Sequence, residues 1–138
     1  MSRTQSTMVE LGTVAPAFEL PDVVSGHAVG RDDLAAGAKG LLAIFCCVHC
    51  PYVKHVEEEL ARIGVDYEGK LPIVAISAND VGEYPQDGPE EMKKQSERLG
   101  WRFPYLYDES QEVARSYDAA CTPDFFLFDG EMKLVYRG

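Results

Sequence analysis

Two short apolar runs with an amphipathic helix between them constrain this chain more than anything else in it. Leu41-Leu42-Ala43-Ile44-Phe45 and Leu71-Pro72-Ile73-Val74-Ala75-Ile76-Ser77 lack the polar alternation of a half-solvated strand. Between them, Val53, Val56, Leu60 and Ile63 fall on one face of a helix. Strand, helix and strand in that order imply a right-handed crossover and a parallel sheet covered on both faces. The fold class is therefore α/β.

The first strand hands over to the helix through Cys46-Cys47-Val48-His49-Cys50-Pro51. Cys47 and Cys50 are thus spaced C-x-x-C at a strand-to-helix junction. A helix start carries unpaired N–H groups and roughly half a positive charge, which favour a thiolate. Cysteine pKa values at such places drop from about 8.5 to between about 3.5 and 7.5. The spacing puts Cys47 at or near the N-cap, partly exposed, and Cys50 one turn in, more buried and within disulfide reach. Pro51 suits a first helical turn, having no N–H to lose. His49, when protonated, adds a second positive group beside the thiolate.

Size and charge narrow the field. A chain of 138 residues reads as one domain spanning 1–138, with residues 1–13 a loose arm. A net charge of −10 argues against nucleic acid and anionic membranes as partners. The N-terminus has no secretory signal, and no stretch approaches the ~18 apolar residues of a membrane span. The expected location is cytoplasmic. Four cysteines in such a chain fit catalytic or metal-binding use better than a disulfide framework. Cys46, Cys47, His49 and Cys50 stand too close in sequence to close a four-ligand zinc site, so no metal is expected.

The remaining elements follow from local signals. Ala17–Leu20 and His27–Val29 are short strands, and Asp32–Leu34 a helical turn. Residues 79–89 are a turn-rich loop, after which Pro89 starts a helix that Gly100 ends. Phe103–Tyr107 is a strand and Glu109–Tyr117 a third helix. Asp124–Phe128 and Lys133–Tyr136 flank Asp129-Gly130-Glu131 as a hairpin. Glu57-Glu58-Glu59 reads as a solvated helix face. Cys46 is the last core residue of its strand.

The C-x-x-C at a helix start, with Thr122-Pro123 and a hairpin some seventy residues later, resembles the thioredoxin fold. The strings F-C-x-x-C-P-Y-V-K, F-P-Y-L-Y-D-E-x-Q-E-V-A, C-T-P-D-F-F-L-F-D and L-V-Y-R-G resemble small redoxins of the alkyl hydroperoxide reductase/thiol-specific antioxidant superfamily. The resemblance runs from about Ala15 to Gly138. It implies a central mixed sheet flanked by helices, with an N-terminal β extension and without the C-terminal helix that relatives carry. It also makes Cys47 the attacking thiol and Cys50 the resolving one. Thr122-Pro123 becomes a cis-proline loop whose backbone pairs with an extended substrate. Cys121 is a possible accessory thiol beside it. Two departures stand out. Cys46 replaces the thioredoxin tryptophan, and the strand before the motif has no buried carboxylate.

The activity so implied is dithiol–disulfide exchange on a protein or small-molecule disulfide. It needs no organic cofactor, but a reductase or dithiol donor must return the electrons. Two alternatives compete. A peroxiredoxin-type peroxidase wants P-x-x-x-T-x-x-C and an Arg at the peroxide, and the residues before Cys47 and Cys50 supply neither that Pro nor that Thr. A copper chaperone of the Sco type is suggested by Cys46-x-x-x-Cys50-Pro51, but lacks a histidine well downstream.

Overall fold

The computed structural model describes residues 10–48, 51–78, 88–119 and 123–138. In chain order the elements are β1 (Glu19–Pro21), β2 (Ala28–Gly30), α1 (Arg31–Ala35), β3 (Gly40–Phe45), α2 (Pro51–Asp66) and β4 (Ile73–Ser77). There follow α3 (Pro89–Leu99), β5 (Tyr105–Tyr107), α4 (Glu112–Ser116), β6 (Asp124–Asp129) and β7 (Leu134–Arg137). Five strands form one sheet in the order β5-β4-β3-β6-β7, with β5, β4 and β3 parallel and β6 and β7 antiparallel to their neighbours. The expected mixed sheet is present, and β3–α2–β4 is its crossover.

Strands buried on both faces need two cores, and each face has one. Leu41, Ala43, Phe45, Val74, Ile76, Phe126 and Phe128 pack against Tyr117 and Ala114 of the α4 region and against Phe18. On the other face Ile44, Ile73, Ala75 and Tyr105 meet Val53 and Leu60 of α2, Met92 of α3, and Trp101. Gly64 lets α2 approach closely, since a Cβ there would sit 3.0 Å from the Phe103 ring. Farther along this face, Phe125 and Leu127 of β6 are only half-buried, and Tyr136 of β7 is exposed.

Both sheet edges are covered, which removes the unpaired backbone that invites aggregation. The β1–β2 hairpin docks on β5: Val23 N–H donates to Tyr105 O at 2.9 Å, and Tyr105 N–H to Asp22 Oδ1 at 3.1 Å. At the opposite edge Gly12 N–H reaches Leu134 O at 2.7 Å and Leu134 N–H reaches Thr13 O at 2.8 Å. The arm expected to be loose over 1–13 is therefore tied down at its end; residues 1–9 lie outside the described residues.

Two elements differ from expectation for local reasons. Helix α4 is shorter than Glu109–Tyr117, because Gln111 takes a left-handed conformation (φ 64°) and the buried Asp108 carboxylate accepts Ala114 N–H at 2.8 Å. Residues 109–111 are thus a turn. The β6–β7 hairpin closes with Met132 at φ 60° and with Asp129 Oδ1 accepting from Glu131 N–H (2.9 Å) and Lys133 N–H (3.0 Å). The Lys133 bond first, and then the Glu131 bond, hold the exposed Asp129 carboxyl below its ordinary range.

Candidate active site

The site stands at the C-terminal end of β3, the sheet's central strand. Cys46 extends β3, its N–H donating to Ile76 O at 2.9 Å, and is fully buried as expected of a last core residue. Cys47 is 1% exposed and belongs to the same apolar cluster as Cys46, Ile44 and Val53. The partly exposed Cys47 expected from the sequence is therefore corrected. The reason lies in where the helix starts. α2 begins at Pro51, so Cys47 belongs to the stretch that prolongs the buried strand.

Pro123 enters the site from β6. The antiparallel register pairs Phe45 with Asp124, and Pro123 and Cys46 adjoin that pair at the same end of the sheet. Pro123 is half-buried. Among the sequence-derived site residues, Cys47 and Pro123 thus come to one end of the sheet. His49, Cys50, Cys121 and Thr122 lie outside the described residues. Among the described residues no three His, Cys, Asp or Glu side chains are grouped to hold a metal. His27 and His55 are exposed, on the hairpin and on α2.

Two buried charged groups differ from what the sequence suggests, one not singled out there and one expected to be solvated. Asp124, the first residue of β6, is completely buried, and so is its partner: Arg137 Nη2 donates to Asp124 Oδ2 at 2.8 Å, with the two side chains 1% and 0% exposed. The same nitrogen lies 3.3 Å from Asp118 O, and the guanidinium sits 4.3 Å from the Phe126 ring centroid. A carboxylate is thus buried at this end of the sheet after all, carried by β6 and not by β3. The signal was present for Asp124 alone, a charged residue at an inward position of the alternating D-F-F-L-F-D; in L-V-Y-R the inward turn of Arg137 breaks the alternation, where the β6–β7 register is irregular.

The second group is Glu57, which is buried and not part of a solvated face, while Glu58 and Glu59 are exposed. Its carboxylate accepts from Gln95 Nε2 at 3.3 Å and Arg98 Nη2 at 3.4 Å, and its carbonyl accepts from Trp101 Nε1 at 3.1 Å. Tyr105 Oη donates to Gln95 Oε1 at 2.8 Å. This network fastens α2 to α3 and β5, and so sets where the first turn of α2 meets the end of β3.

Comparison with known proteins agrees with this geometry. The model of the AhpC/TSA family matches residues 11–137. The thiol-disulfide oxidoreductase ResA of Geobacillus kaustophilus is 32% identical over 98% of this chain and 74% of its own. The crystal structure of an uncharacterized conserved protein from Geobacillus kaustophilus is 51% identical with a TM-score of 0.93, covering 96% of this chain and 70% of that one. The thioredoxin domain of a thiol-disulfide oxidoreductase from Bacteroides vulgatus, 22% identical over 94% of this chain and 89% of that one, shares the fold at a TM-score of 0.77. The chain has the thioredoxin fold and belongs to the AhpC/TSA family.

Proposed function

We propose that the protein is a dithiol–disulfide oxidoreductase whose working pair is Cys47 and Cys50. The observation that carries this reading is Cys47, three positions before Cys50-Pro51, at the end of the central strand and directly ahead of α2, in a chain related to thiol-disulfide oxidoreductases.

The chemistry balances without a cofactor. The Cys47 thiolate attacks one sulfur of a substrate disulfide; that S–S bond breaks, and the departing thiolate takes a proton. The Cys50 thiolate then attacks the Cys47 sulfur of the mixed disulfide and displaces the second substrate thiolate. Substrate gains two electrons and two protons, and the protein is left with a Cys47–Cys50 disulfide. A dithiol donor or reductase reverses that step. His49, between the two cysteines, favours the thiolate by its positive charge.

The test is insulin reduction with dithiothreitol by wild type, Cys47→Ser and Cys50→Ser. Wild type should be active, Cys47→Ser inert, and Cys50→Ser trapped as a mixed disulfide visible by mass. Equal rates in all three remove the reading. Rapid peroxide consumption that survives Cys50→Ser replaces it with a peroxidase.

A further inference from the structure

Arg137 and Asp124 are costly to bury, and bulk stability accounts poorly for them. Apolar side chains of similar volume serve a core as well or better than an ion pair does. The pair is also incompletely satisfied: Arg137 Nε and Nη1 have no hydrogen-bond partner among the described residues. What an apolar pair could not reproduce is direction. One nitrogen of Arg137 reaches both the carboxylate at the entrance of β6 and the carbonyl of Asp118, at the exit of α4. Asp118 holds a left-handed conformation (φ 55°), which aspartate adopts more readily than most residues. Arg137 itself is rigidly mounted. It pairs with Phe126 across β6–β7, and next to it Phe125 and Gly138 exchange hydrogen bonds at 2.9 and 3.0 Å.

The entrance of β6 is also where the second half of the site begins. Asp124 lies opposite Phe45, and directly opposed Cα atoms are roughly 4.5–5.5 Å apart. A shift of Asp124 therefore moves Pro123 relative to Cys46 and Cys47. We propose that Arg137 is a positioning residue: by joining Asp124 to the Asp118 carbonyl it holds the Pro123–Asp124 backbone where an extended disulfide substrate pairs with it beside Cys47. This rests on the disulfide-exchange reading. Arg137 takes no part in electron transfer. Its contribution is to recognition of polypeptide disulfides, and a compact disulfide that makes no backbone pairing does not sense it.

The experiment pairs Asp124→Leu/Arg137→Met, which removes both charges together, with Arg137→Met alone. Each is assayed on insulin and on 5,5′-dithiobis(2-nitrobenzoate), alongside urea unfolding. In the folded double variant the insulin KM should rise about fivefold, the worth of roughly one hydrogen bond, with kcat within about twofold and the small disulfide unaffected. Arg137→Met should show the same split. A folded double variant with wild-type KM on insulin overturns the proposal, as does an equal loss on both substrates. A double variant that no longer unfolds cooperatively overturns it too, since the pair would then be structural. Wild type inert on both disulfides would sink the exchange reading itself, and this proposal with it.

Discussion

Among the described residues two buried carboxylates are paired with arginines, one on each face of the sheet, and the two pairs are built differently. Asp124 and Arg137 are withdrawn from water completely, at 2.8 Å. Glu57 and Arg98 stand 3.4 Å apart with the arginine side chain 57% exposed, and Glu57 leans on Gln95 as well. In the first arrangement the compensation of the buried charge includes a cation that is itself buried. The second spreads it over an amide, a half-solvated cation and the water around that cation. Loss of a partner should therefore be severe in the first case and mild in the second. The severe case lies beside the candidate active site, whereas the mild one lies on the helix that carries it.

Arg137→Met applies the strongest strain to this contrast. It leaves the Asp124 carboxylate buried with its cation removed, a change worth about 3–5 kcal/mol of destabilisation. Urea unfolding at neutral pH should show the midpoint falling accordingly, with an unchanged slope. Asp124→Leu/Arg137→Met should regain most of the loss, because no isolated charge remains. A single variant within about 1 kcal/mol of wild type would mean that the pair is solvated or replaced, and the contrast would collapse.

How much of this the sequence disclosed depends on which residues spoke plainly. β3 and β4 were legible because strands buried on both faces must be apolar throughout, and α2 was legible from its stripe and from Pro51. The C-x-x-C motif pointed to the proposed chemistry but not to the burial of Cys47. Burial of Cys47 depends on how far β3 continues past Phe45, which the Cys46–Ile76 backbone bond decides. Glu57 was hidden by its neighbours. Three adjacent glutamates look alike, and only packing against Gln95 and Trp101 selects the one that turns inward with Val53, Leu60 and Gly64. Asp124 reads as the polar start of a strand, and Arg137 falls just past the expected end of the next. Their partnership spans two strands, and no local pattern encodes it.

The α2–α3 seam is tested next by Gln95→Leu. Gln95 is buried, gives a hydrogen bond to Glu57 and takes one from Tyr105 Oη. Leucine fills the volume but takes one acceptor from the buried Tyr105 hydroxyl and one donor from a carboxylate. The expected cost is about 1–3 kcal/mol, smaller than for Arg137→Met because Arg98 and solvent remain to serve Glu57. A loss as large as that of Arg137→Met would show that Glu57 depends on one partner after all.

Arg98→Ala should have the smallest effect and is the sharpest discriminator. An arginine more than half exposed gains little by Coulomb attraction across 3.4 Å, and its charge is screened by salt. The substitution should cost below about 1 kcal/mol, and the cost should shrink further between low and 1 M salt. Glu57 keeps Gln95, and its carbonyl keeps Trp101, so α2 stays seated and disulfide exchange by Cys47 is expected at the wild-type rate. The opposite outcome, a salt-insensitive loss of several kcal/mol with slowed exchange, would place Glu57 among the fully desolvated charges. The two faces would then handle buried carboxylates alike, and the special standing of Arg137 beside the site would rest on its location alone.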